Sequence, residues 1–138
     1  MKTKIRLVEG MTFLGESESG HAVVMDARPE FGGRNLGPSP MEMTLMGMGG
    51  CTSIDVVSIL RKARQDVQGC EAEVNAEKAS DYPTVFTKIH VHFVVTGRGL
   101  SPKKVQNAID LSAHKYCSVS IMLGKTAEIT HDFEIVEV

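Results

Sequence analysis

Two cysteines carry the reactive chemistry available to this chain. Cys51 closes the run Pro38-Ser39-Pro40-Met41-Glu42-Met43-Thr44-Leu45-Met46-Gly47-Met48-Gly49-Gly50-Cys51, and Cys117 sits in Lys115-Tyr116-Cys117-Ser118-Val119-Ser120. The thiolate is the nucleophilic form of cysteine, and helix N-termini and nearby cations favour it. Cys117 stands near the start of a short predicted helix beside Lys115 and Tyr116, so local chemistry makes it the readier thiolate. Gly49 and Gly50 leave room beside Cys51 for another backbone or a substrate. A buried cysteine is more often only a small core hydrophobe, so two thiols alone do not make a site. The third cysteine, Cys70, follows Gly69 at an element boundary and reads as incidental.

The elements that position these thiols follow from patterning. Lys2 to Val8, Thr12 to Glu16 and His21 to Asp26 read as three short strands in an antiparallel meander, with Gly10 and Ser17-Glu18-Ser19-Gly20 as turns. Arg28 to Pro38 is a loop by composition and holds Arg28 and Arg34. A helix follows from about Pro40 to Gln65, with Ser39 as N-cap, Pro40 in the first turn and Glu42 favourable to the dipole. Its first half is apolar or tiny on every side, the pattern of a buried helix. Gly69 is the expected stop signal. Cys70 to Ala79 and Val85 to Thr96 alternate as a long hairpin; Ile89, Val91, Phe93 and Val95 form one face of the second strand. Ser101 caps a helix that begins at Pro102 and reaches about Lys115. Cys117 to Leu123 is a second helical piece, and Ala127 to Val138 a last strand anchored by Ile129, Phe133 and Ile135. The order β-β-β-α-β-β-α-α-β defines one α+β domain over residues 1–138.

Composition excludes several classes. The chain has 138 residues, 42% hydrophobic and 23% charged, with net charge −2. That is ordinary for a globular domain, and phosphate binding needs a concentrated positive field, so no nucleic-acid partner is expected. The N-terminal residues alternate Lys2, Lys4 and Arg6 with Thr3, Ile5 and Leu7, which is not a signal peptide. The most apolar run, around Met43 to Ile54, is glycine-rich and shorter than the roughly 20 residues of a membrane span. A cytoplasmic protein without membrane attachment is expected, and an odd cysteine count there argues against a disulfide framework.

The paired contexts Pro40 to Cys51 and Cys117-Ser118-Val119-Ser120 resemble the OsmC/Ohr family of thiol-dependent peroxide-resistance proteins. Gly15 to His21, Pro38 to Met43, Ile54 to Leu60 and Lys115 to Val119 look like the YhfA branch of that family. The resemblance implies the OsmC/Ohr fold, with antiparallel sheets packed around central helices in an intertwined homodimer and a site at the subunit interface. It also implies organic hydroperoxide reduction. Cys51 would be the peroxidatic thiol and Cys117 the resolving one, a dithiol would be the external reductant, and no cofactor or metal would be needed. Met43, Met46 and Met48 are candidates to line a pocket for an apolar peroxide.

In the peroxidase members a glutamate directly follows the motif's proline and pairs with an arginine from a preceding loop. Here Met41 follows Pro40. Glu42 comes one position later, about 100° further round the helix. Glu42 with Arg28 or Arg34 are the candidates for this supporting role. The departure leaves a second reading, a non-peroxidase protein of the same fold that binds an apolar or thiol-reactive small molecule at the dimer interface. Asp55, one helical turn after Cys51, reads as a structural polar group or an interface contact. His90 and His92 share a strand face, as in some metal sites, but no third ligand stands at a telling spacing and Lys88 shares the face.

Overall fold

A computed structural model describes every residue, Met1–Val138, and its elements follow the expected order. The chain forms two compact units, Met1–Leu45 and Met46–Val138. In the first, β1 (Thr3–Glu9), β2 (Thr12–Ser17) and β3 (Ala22–Asp26) make the antiparallel meander. Asp26 organises the loop that follows. Its Oδ2 accepts the Thr12 hydroxyl at 3.0 Å and the backbone N–H groups of Leu36 and Arg34 at 3.3 and 3.4 Å. Two glycines let this loop close. A Cβ on Gly33 would fall inside the Ala27 carbonyl, and one on Gly37 inside that of Val24. Every residue of β1 is exposed, including Ile5 and Leu7, so the apolar face of this strand finds no cover within its own unit.

Helix α1 (Pro40–Lys62) starts with a reciprocal capping box. The Glu42 N–H donates to Ser39 Oγ at 3.2 Å, and the Ser39 N–H donates to Glu42 Oε1 at 3.0 Å. Two of the helix's orphan N-terminal donors are satisfied this way. Ser39→Ala is expected to lower stability by about 1 kcal/mol, read from the urea midpoint at unchanged m-value.

The helix ends earlier than its composition suggests. Arg64 adopts φ 60°, its N–H bonds to Arg61 O at 3.0 Å, and the Gln65 N–H bonds to Leu60 O at 2.9 Å. This is a Schellman cap with an arginine in the left-handed position. Gly69, the expected stop, instead lies in β4 beside a register irregularity. Nor is α1 buried all round. Met48, Gly49, Thr52, Val56 and Leu60 are covered, while Met46 and Ile54 are 56% and 71% exposed.

The second unit is built on β4 (Asp66–Lys78), β5 (Phe86–Arg98) and β6 (Glu128–Glu137) in that order. β4 and β5 pair antiparallel, as the hairpin requires. β6 joins β5 in parallel, so this sheet is mixed rather than antiparallel throughout. A parallel partner needs a crossover, which α2 (Pro102–Leu111) and α3 (Ser118–Leu123) supply. Ile89, Val91, Phe93 and Val95 are all buried, as are Val105, Ala108 and Ile109 of α2, and these side chains form the core with Val56 and Leu60. The helix expected to run to Lys115 stops at Leu111 and passes into a π-helical turn, Ser112–Tyr116.

His131 stacks on Phe93 on the core side, with ring centroids 6.3 Å apart, and its buried Nε2 has no partner in the chain. Burial pushes its pKa below the ordinary 6.5; the nearby His114 and His90 add to this and Asp110 opposes it. The unfolded chain therefore binds this proton first. Stability from His131 is full above the unfolded-state pKa and is lost as pH falls from there through the folded value. His131→Phe should flatten the drop in urea midpoint between about pH 7.5 and about pH 5.5.

Candidate functional site

Cys51 and Asp55 lie one turn apart on the same face of α1. Cys117 arrives from the other end of the unit, between the π turn and α3. Cys51 Sγ, a carboxylate oxygen of Asp55 and Cys117 Sγ all lie within 4.8 Å of one another. The two thiols paired by sequence context are therefore brought together, and Asp55 stands beside them rather than only on a structural contact.

Hydroxyl groups hold this cluster. The Ser112 hydroxyl donates to Asp55 Oδ2 at 3.0 Å and shares a 2.8 Å hydrogen bond with Thr52 Oγ1. Thr52 and Ser112 are both fully buried. The π turn aims Ser112 at α1; its closing bond runs from the Cys117 N–H to Ser112 O at 2.8 Å. Such turns are rare and are often found at functional sites. Cys117 then serves as N-cap of α3, accepting the Ser120 N–H at 3.4 Å and the Ser120 hydroxyl at 3.0 Å. Neither Ser112 nor Ser120 is legible as a site residue in the sequence. The one signal pointing to Asp55 is its i,i+4 spacing from Cys51.

The expectation that Cys117 is the readier thiolate is reversed. Burial pushes its pKa above the ordinary thiol value, and the adjacent Cys51 pushes it further. The Ser120 contacts pull in the opposite direction without overcoming this. Desolvation disfavours a charged thiolate, and Cys117 is fully buried. Lys115, the nearby cation, sits over the ring of Tyr116, 5.2 Å from its centroid. Cys51 is half-buried and so is the more accessible of the pair.

The supporting candidates have partners within the first unit. Glu42 is held by the capping box, which lowers its pKa; the charge of Arg28 adds a smaller effect in the same direction. Arg28 Nε pairs with Glu30 at 2.9 Å. Arg34 Nη2 bonds Glu9 O at 3.2 Å and Thr12 Oγ1 at 2.9 Å, bracing the β1–β2 turn. The three methionines are not gathered in one place. Met48 is core, Met46 is exposed, and Met43 lines an apolar cleft of about 280 Å³ with Ile5, Val23 and Met25. Cys70 stands apart from the thiol pair on a cavity of about 660 Å³ with Ser53, Val57 and Arg61. Burial pushes its thiol pKa up, against a smaller opposing effect of Ser53.

On the outer face of the second sheet, His90 Nε2 and His92 Nδ1 both lie against Asp132 Oδ1, at 2.9 and 2.8 Å. Asp132 is thus a third polar group that sequence spacing does not reveal. All three side chains are substantially exposed.

The model of the OsmC-like protein family matches residues 32–132, which include both cysteines and the helices that carry them. The chain belongs to the OsmC-like family. It is 52% identical to Protein YhfA of Escherichia coli K12 over 136 residues, covering 99% of this chain and 98% of that protein. A hypothetical protein from Aquifex aeolicus superposes with TM-score 0.86 at 26% identity, covering 99% of this chain and 96% of the other. An organic hydroperoxide resistance protein from Elizabethkingia anophelis shares the fold with TM-score 0.70 at 14% identity, covering 96% and 94%. By length and hydropathy α1 of this OsmC-like chain could cross a membrane. Within the fold, however, its Thr52 and Asp55 bond to Ser112, contacts that a lipid environment would not offer.

Proposed function

We propose that this OsmC-like protein reduces organic hydroperoxides with the Cys51–Cys117 pair, as a homodimer in the cytoplasm. The observation that carries this reading is the approach of the two sulfurs to within 4.8 Å, with Cys51 the accessible one. The Cys51 thiolate attacks the outer peroxide oxygen, the O–O bond breaks, and the alcohol leaves with a proton. Cys51 is then a sulfenic acid. The Cys117 thiol condenses with it, forming the disulfide and releasing water; the sulfurs must close to about 2.05 Å for this step. An external dithiol returns both cysteines to thiols by exchange.

The direct test adds one equivalent of cumene hydroperoxide to the reduced protein. Loss of two thiols per chain and a Cys51–Cys117 linkage in the peptide map is the expected result. Retention of all three free thiols would sink the proposal and favour the second reading, a binding protein of the same fold. That reading draws on Glu42, whose carboxylate is engaged at the helix cap, and on the apolar cleft at Met43.

The homodimer is supported by apolar side chains that a single chain leaves in solvent: Ile5, Leu7 and Val8 on β1, and Met46 and Ile54 on α1. Large apolar side chains left exposed on each of two elements are typical of surfaces that a partner covers. Light scattering is expected to read twice the 15.0 kDa of one chain. Ile54→Lys should shift the protein towards the single-chain mass, and an unchanged mass would remove α1 from the interface.

A further inference from the structure

We propose that Cys51, Asp55 and Cys117 also form a binding site for one thiophilic divalent cation, of which zinc is the natural candidate. The three ligand atoms already lie within 4.8 Å of one another. Tetrahedral zinc, with Zn–S about 2.3 Å and Zn–O about 2.0–2.2 Å, requires S···S near about 3.8 Å and S···O near about 3.6 Å. Side-chain adjustment of about an ångström reaches those separations. Two sulfurs and one carboxylate favour zinc over magnesium or calcium, which prefer all-oxygen shells.

The surroundings suit ligands rather than a mere polar cluster. The Ser112 hydroxyl orients Asp55 through Oδ2, while Thr52 fixes Ser112. The Ser120 hydroxyl and N–H both point at Cys117 Sγ, where they support a thiolate. Outer contacts of this kind orient metal ligands and tune their basicity. On binding, both thiols release their protons to solvent and two Zn–S bonds form, with no change of oxidation state. Three protein ligands leave a fourth position, reached from the side where Cys51 and Asp55 are half-buried.

One consequence rests on the peroxide reading: a metal-held Cys51 shares its negative charge with the cation and is a weaker nucleophile than the free thiolate, so zinc would slow turnover reversibly. The binding itself does not depend on that reading.

The test titrates reduced, chelator-treated, full-length protein anaerobically with Co²⁺ and then with Zn²⁺. Expected is one cobalt per chain, with thiolate-to-cobalt charge-transfer absorption that zinc displaces. Cys51→Ser and Cys117→Ser should abolish the band, and Ser112→Ala should weaken binding about tenfold. Cys70→Ser and His92→Ala should leave it unchanged. X-ray absorption of the zinc-loaded wild type should show two sulfur neighbours at about 2.3 Å, a readout that needs no variant to fold. Absence of sulfur neighbours, a band surviving Cys117→Ser, or binding lost in His92→Ala would overturn the site. If the thiolate band forms but metal-free protein fails to reduce cumene hydroperoxide, the peroxide reading falls and the metal site stands. If peroxide is reduced but no band forms, the metal site falls alone.

Discussion

Cys51→Ser is expected to lower dithiol-dependent consumption of cumene hydroperoxide by at least about a thousandfold, the scale for removal of the covalent nucleophile that the proposed reaction needs. Serine keeps the size of the side chain and its place on α1, so fold and metal-free stability should change little. Cys117→Ser is expected to separate the steps. Its first equivalent of peroxide still oxidises Cys51, but the sulfenic acid has no thiol to condense with and accumulates, where a sulfenic-acid trapping reagent labels it. Turnover then stalls after one equivalent. Cys70→Ser should retain the full rate, because that thiol lines a separate cavity.

The pH dependence follows from Cys117. Burial, with Cys51 beside it, pushes this thiol above its ordinary pKa. The condensation step should therefore accelerate as pH rises towards that value, while a route led by a Cys117 thiolate would already be fast at neutral pH. Cys51→Ser turning over peroxide at the wild-type rate would end the assignment.

Phe93→Ala should destabilise the protein by about 3–5 kcal/mol, a large share of the roughly 5–15 kcal/mol that holds a domain of this size together. Phe93 is fully buried on β5, opposite Phe133 of β6 and Ala72 of β4, with His131 stacked on its ring. The chain has five phenylalanines and no tryptophan, so few large side chains are available to fill the space. Truncation opens a cavity at the centre of the sheet and also exposes the unpartnered His131 Nε2 to whatever enters it. Phe93→Leu keeps most of the volume and should cost about 1.5 kcal/mol or less. Urea unfolding of the two variants provides the comparison. Equal midpoints for Phe93→Ala and wild type would mean that the core collapses around the gap.

The alternation of Ile89, Val91, Phe93 and Val95 was enough to name the core strand, because a period of two places one set of side chains on one face. Ser39, Pro40 and Glu42 were enough to start α1, because capping is chemistry between near neighbours. The two cysteine contexts were enough to select the family. Local pattern did not supply the direction of β6, which depends on how α2 and α3 carry the chain back across the sheet. It also placed the end of α1 too late, since Arg64 takes the left-handed conformation more usual for glycine.

The same division holds at the thiols. The sequence by itself paired Cys51 with Cys117 and showed that Asp55 shares a helix face with one of them, since both follow from motif and helical spacing. Only the tertiary structure decided that Ser112 and Ser120 hold the site, that Cys117 is the buried sulfur and that its acidity falls rather than rises. Desolvation depends on everything packed around a group, and no window of neighbouring residues contains that information.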